Sequence, residues 1–229
     1  MSVLALLTSA ALAAEGGRYL LQTSALPLDE GELVAELTVV QPSLVGVRYG
    51  VSDWLELWGG GGIVLDWGGF DPALGVGARG AWSLHEGLHA AFGVGVFHPS
   101  VRQIASVEPS GGARAALTVG RADRHHATAS CALVATSTSV GVVPGLAGTL
   151  AAGDRWDLGL ESEVEIWKDL GDITASPVAR RTFRNPAWSL TLGWPWAISQ
   201  FHAAVEGGGS FTGWEVEPWA PTLRLEALL

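Results

Sequence analysis

One lysine, Lys168, and one cysteine, Cys131, occur in the 229 residues, and no stretch of 18 consecutive apolar residues occurs at all. The lone cysteine excludes an intramolecular disulfide. The missing apolar run excludes a helical membrane span. Positive charge is scarce: twelve Arg and the single Lys leave a formal charge of −10 and a pI near 4.9, which argues against nucleic acid as a partner. The shortage of Lys beside Arg reads as compositional bias. Chemistry-bearing patterns are also lacking. Gly59 to Gly62 is no phosphate loop, since no Lys-Ser/Thr pair and no helix start follows it. A bend in a strand wall suits it better. His125 and His126 are adjacent on a strand edge, so they point to opposite faces and do not chelate one metal together. No catalytic residue, no metal site and no cofactor is expected.

What is present is alternation. Runs of about ten residues switch apolar and polar side chains with a period of two, the signature of β-strands. The pattern predicts about twelve strands, with 10 to 14 compatible: Leu33 to Val40, Leu44 to Gly50, Trp54 to Asp66, Ala73 to Leu84, Leu88 to His98, Ala113 to Arg121, His125 to Ala135, Val140 to Ala151, Arg155 to Trp167, Ala187 to Trp196, Gln200 to Ser210 and Pro221 to Leu229. Five short turns separate them in pairs: Val51-Ser52-Asp53, His85-Glu86-Gly87, Arg121 to Arg124, Gly153-Asp154 and Ala197-Ile198-Ser199. The intervening connections are longer, chiefly Pro99 to Gly112 and Lys168 to Pro186, with Trp67 to Asp71 and Phe211 to Glu217 beside them. Short turns at one end and longer loops at the other predict an all-β, antiparallel, up-and-down transmembrane barrel. An even strand count puts both termini on the short-turn, periplasmic side.

The run Arg155 to Trp167 carries the clearest face separation. Trp156, Leu158, Leu160, Val164 and Ile166 share one face, and Asp157, Gly159, Glu161, Glu163 and Glu165 share the other. A carboxylate facing hydrocarbon is costly, so the acids should face inward. Lumen content separates an open pore from a plugged barrel: pairing of inward Arg48, Arg79, Arg114 and Arg224 with Glu36, Glu206 and Glu226 would close the channel. The inward neighbours expected around the acidic run, Gly141, Gly145, Ala147, Thr149, Ser189 and Thr191, cannot neutralise it, which predicts a hydrated, cation-preferring stripe. Cys131 shares the outward parity of Ala129 and Leu133 and reads as a small apolar filler. Tryptophans gather at run ends, where an apolar ring with one N–H suits headgroup level. Trp54, Trp82, Trp156, Trp194 and Trp196 fall near the short turns, Trp67, Trp167, Trp188, Trp214 and Trp219 near the outer loops, and only Trp58 lies well inside a strand. Arg180, Arg181 and Arg184, in the stretch read as the longest outer loop, are candidate contacts for lipopolysaccharide phosphates.

Residues 1–14 read as a secretory signal, with an apolar Val3 to Leu7 and a small-x-small Ala11-Leu12-Ala13, leaving 15–229 as one domain. The segment Leu26-Pro27-Leu28-Asp29-Glu30-Gly31-Glu32, followed by Val45-Gly46-Val47-Arg48-Tyr49-Gly50-Val51-Ser52-Asp53-Trp54-Leu55-Glu56-Leu57, resembles the opening of small Gram-negative outer-membrane β-barrel proteins. The resemblance covers about 30 residues directly. It implies an outer-membrane location and handling by the barrel-assembly machinery, with outer-membrane lipid and lipopolysaccharide as surroundings. Such proteins often end in an aromatic residue; this chain ends in Leu229. His98-Pro99-Ser100 has the His-x-Ser spacing of outer-membrane lipid A deacylases, without an Asn-Ala continuation. Three functional classes follow: first a small pore with an acidic lumen, second a structural or surface-interaction barrel plugged by side chains, third a lipid-modifying enzyme.

Overall fold

In the computed structural model the described residues are 25–26, 28–39, 43–66, 69–99, 110–121, 125–136, 140–153, 155–167, 170–184, 187–205, 209–218 and 221–228. The proposed signal lies outside them. The strands are β1 (Leu33–Val39), β2 (Ser43–Ser52), β3 (Leu55–Asp66), β4 (Gly69–His85), β5 (Leu88–Pro99), β6 (Ser110–Gly120) and β7 (His126–Ala135). They continue as β8 (Val140–Ala151), β9 (Trp156–Trp167), β10 (Leu170–Arg184), β11 (Ala187–Gly193), β12 (Trp196–Val205), β13 (Gly209–Pro218) and β14 (Thr222–Leu228). β1 to β10 pair antiparallel in chain order, β11 pairs with β10 and β14, and β14 returns to β1. These twelve strands form a closed barrel, while β12 and β13 extend it beyond the ring.

The expected number is therefore right, but two errors offset one another in reaching it. Lys168 to Pro186 is not a loop. It contains β10, paired with β9 from Leu170↔Trp167 to Arg181↔Trp156. Its Asp, Pro and Arg residues hid the alternation. Pro177 is tolerated because it faces the break between β11 and β12: its carbonyl accepts from the Trp194 N–H at 3.1 Å, and the bond it cannot donate is the one missing there. Conversely, Ala197-Ile198-Ser199 is not a turn. β10 pairs with β11 through Val178↔Gly193 and with β12 through Ala175↔Trp196 in one continuous register, so the chain runs on past Pro195. Phe211 to Glu217, read as a loop, lies in β13. The fifth short connection is 185–186, between β10 and β11, but 67–68 and 168–169 at the opposite end are equally short, and the expected outer loop Trp67 to Asp71 lies partly in β4.

These shifts relocate several side chains. Arg180, Arg181 and Arg184 lie near the short-turn end of β10, opposite the end expected for a lipopolysaccharide contact. Trp188 moves to the turn end as the second residue of β11, whereas Trp194 and Trp196 lie partway up the wall where β11 passes into β12, Trp196 standing opposite Ala175 in the middle of β10. Trp54, Trp82 and Trp156 keep their expected end, and the first two stack with centroids 6.4 Å apart. All five of Trp54, Trp82, Trp156, Trp194 and Trp196 are exposed on the outer wall. Trp167 and Trp214 sit on β9 and β13 with side chains outside the described set, and Trp67 and Trp219 lie outside the described residues altogether.

Trp58 is the tryptophan the rim pattern did not accommodate, and its burial explains it. Its β3 parity turns it inward, where it lies against the backbones of Gly77 on β4 and Gly95 on β5. A Cβ at Gly95 would come within 2.5 Å of the indole. Gly95→Val is expected to lower stability by about 1–3 kcal/mol through overpacking, read as a lower urea midpoint in detergent micelles. Gly111→Ala, which meets only ordinary contacts at 3.8 Å or more, should change it little.

Candidate functional site

Strand parity sorts the barrel's two faces by chemistry. Outward stand Leu57, Leu74, Val76, Val94, Val96, Leu146, Leu158 and Leu160, each at least 47 % exposed. Inward and buried stand five arginines, Arg48, Arg79, Arg114, Arg180 and Arg224, and five glutamates, Glu36, Glu56, Glu161, Glu163 and Glu226. The equality matters: among the buried charges of the described residues the lumen has no acidic excess, although the whole chain does. His126 faces inward against Thr149, with its Nδ1 2.8 Å from the hydroxyl, while His125 is exposed, as their adjacency requires.

Antiparallel register builds the main cluster from β1, β2, β3, β4 and β14. Glu36 lies directly across from Glu226 on β14, and Glu56 from Arg79 on β4. Two facing glutamates would repel, so cations are inserted between them. Arg48 pairs with Glu36 through Nε and with Glu226 through Nη2 at 3.1 Å. Arg224 reaches Glu36 at 2.6 Å and Glu226 at 3.0 Å, and Arg79 reaches Glu56 at 3.0 Å. The Ser189 hydroxyl donates to the second Glu226 oxygen at 3.2 Å. Three arginines thus neutralise three glutamates. Arg48 and Arg224 meet Glu36 and Glu226 as expected, whereas Arg79 meets Glu56, outside the expected set of Glu36, Glu206 and Glu226. The alternation of Glu56 with Leu55 and Leu57 marks it as inward. Glu206 lies outside the described residues.

The acidic run on β9 is inward as expected, with Glu161 and Glu163 only 2 % and 5 % exposed. The hydrated stripe is not what surrounds it. Arg114, three strands away on β6, crosses the lumen and donates from Nη2 to Glu163 Oε1 at 2.8 Å. The flanking strand on one side is β10, which brings Ser176 opposite Glu161 and Arg180 opposite Asp157. The space beside Gly145 is taken by Ser130 and by Glu163 itself, and sequence adjacency could not reveal Arg114 as the partner of that acid. Arg180 therefore faces the lumen beside Asp157, 7 % exposed, and not an outer surface. Glu165 lies on β9, with its side chain outside the described set, as does that of Arg184 on β10.

The segment before β1 supplies a second filling. Ala25, Leu26 and Leu28 are buried at 0 %, 4 % and 2 % exposure inside the turn end of the barrel. The Ala25 N–H donates to the Thr118 hydroxyl on β6 at 2.8 Å, and Arg79 donates to the Leu26 carbonyl at 2.8 Å. Ala25 packs with Ala81, Ala91 and Ala116. The strap then turns at Asp29 to Glu32 and pairs with Gly50, where Gly31 N donates to Gly50 O at 2.8 Å and Gly50 N to Glu32 O at 2.9 Å. A Cβ at Gly50 would run into the Asp29 backbone, so this inward position requires glycine. Beside the strap a cavity of about 200 Å³ remains, lined by Glu32, Arg48, Arg180, Ser189, Trp188 and Glu226 among others. Of its polar lining, Arg48 and Glu226 belong to the ion pairs just described and Ser189 donates to Glu226.

Compared with protein-family models and with curated proteins, the chain matches no family and no relative.

Proposed function

We propose that the chain is an integral outer-membrane β-barrel with a closed lumen, acting as a structural or surface-interaction element and not as an open pore. The observation that carries the reading is the inversion of polarity across the wall. Leu160 is 58 % exposed on the outer face, and its chain neighbour Glu161 is 2 % exposed on the inner one. A water-soluble protein buries its leucines; contiguous apolar surface of this extent calls for a lipid environment. Exposed Trp54, Trp82 and Trp156 at the turn end support a headgroup-level girdle there. Closure is supported by the buried Arg–Glu clusters and by the strap, because water filling a channel would leave those side chains accessible. The cation-preferring pore is accordingly the weaker reading.

Strand length favours a role beyond the membrane. A tilted strand needs about 9–11 residues to cross, whereas β4 has 17 and β10 has 15. The excess of β4 and β10, with the β12–β13 hairpin, projects at the far end and is available for contact with the exterior. The full chain reconstituted into liposomes is expected to float with the lipid and to migrate heat-modifiably in gels. The same preparation in a planar bilayer is expected to show no steady single-channel steps. Failure to float would refute the membrane location; reproducible ohmic steps would refute closure.

A further inference from the structure

At the turn end of the outer wall, Arg181 stands in apolar surroundings. Arg181 is exposed on β10 and shares its outward face with Ala179 and Phe183, while its cross-strand neighbours are Trp156 on β9 and Leu190 on β11. None of these four is acidic. Its guanidinium carbon lies 5.4 Å from the Trp156 ring centroid and 4.9 Å from that of Phe183. Phe183 is in turn stacked on Trp188, centroids 3.8 Å apart with planes 6° from parallel, the two half-buried rings also bordering the turn-end cavity. Aromatic faces hold the flat guanidinium by cation–π attraction and leave its N–H edges for an acceptor of bidentate geometry, for which phosphate is suited. The level is also defined: Trp156 opens β9 directly after a short turn, and exposed Arg155 precedes it with a second positive charge.

We propose that Arg181, on the Trp156–Phe183–Trp188 platform, binds the phosphate of an anionic phospholipid headgroup in the leaflet at the turn end. The inference rests on the membrane location argued above, which the flotation assay tests independently. A lipid is favoured over a soluble phosphate by the surface next to the cation: Leu158 and Leu160 continue the outer face of β9 past Trp156, both at least half exposed, and Leu190 adjoins Arg181 on β11. An acyl chain covers that surface; a free anion does not.

The test is native mass spectrometry of the folded full chain released from neutral detergent after incubation with phosphatidylglycerol, with diacylglycerol of the same acyl chains, or with inorganic phosphate. Wild type is expected to retain phosphatidylglycerol about fivefold more than Arg181→Gln, the effect of one surface arginine at an anionic interface. Arg181→Lys should recover part of the binding, and Phe183→Leu, which keeps the charge, should lose part of it. Diacylglycerol should be retained equally by all variants, and inorganic phosphate should not compete. Equal phosphatidylglycerol retention by wild type and Arg181→Gln would overturn the proposal. So would an equal loss in Arg121→Gln at another exposed turn, which indicates bulk charge alone, or full competition by inorganic phosphate, which indicates a soluble-anion site.

Discussion

Arg48→Met is expected to destabilise the barrel by about 3–5 kcal/mol, the cost of removing one member of a buried ion-pair network. Arg48 is 1 % exposed and lies among Glu36, Glu226 and Glu56. Methionine replaces most of its volume, so the loss is electrostatic. Arg224 and Arg79 remain, but Glu36 and Glu226 face each other across the β1–β14 pair and their repulsion is then less well screened. Adding Glu36→Gln to Arg48→Met should recover part of the loss by removing one stranded carboxylate. Arg155→Met in an exposed turn should stay within about 0.5 kcal/mol of wild type. Urea midpoints in detergent micelles give the comparison. A loss below about 1 kcal/mol would mean that the cluster is bathed in water, as in an open channel.

Removing the strap is expected to open the turn end. Ala116 is 7 % exposed and packs against Ala25, so a thiol placed there reports whether residues 25–28 are seated. In a Cys131→Ser background, Ala116→Cys should react with a membrane-impermeant maleimide at least about tenfold faster in a refolded chain that begins at Asp29 than in the full chain, since each tenfold of protection corresponds to about 1.4 kcal/mol of local order. Gly50→Val, which collides with the Asp29 backbone while leaving the strap present, should accelerate labelling in the same direction. Equal rates in all three would show that the strap does not shield the lumen. Neither change removes a charged member of the Arg48 cluster, so the two experiments separate the two fillings.

Most of the wall was legible because strand alternation is a local property. The split of Leu158 and Leu160 from Glu161 and Glu163 can be read along a single run, and the structure places them outward and inward as that run demands. β10 was not legible for a local reason as well: Pro177 and the Arg180-Arg181 pair interrupt the pattern, and only the neighbouring ladders of β9 and β11 hold the segment as a strand. The misplacement of Arg180, Arg181, Trp188, Trp194 and Trp196 followed from that one omission.

The residues alone determined the class of the fold, the inward direction of Glu36, Arg48, Arg79, Arg114 and Arg224, and the outward direction of the leucines, because a side-chain period of two assigns a face without reference to any partner. Who meets whom inside was decided only by closure. Arg114 reaches Glu163 across β7 and β8, Arg48 reaches Glu226 from the opposite end of the chain, and Ala25 lies against Thr118. Such contacts depend on how the strands curve round a common axis, and no linear pattern records the distance across a lumen.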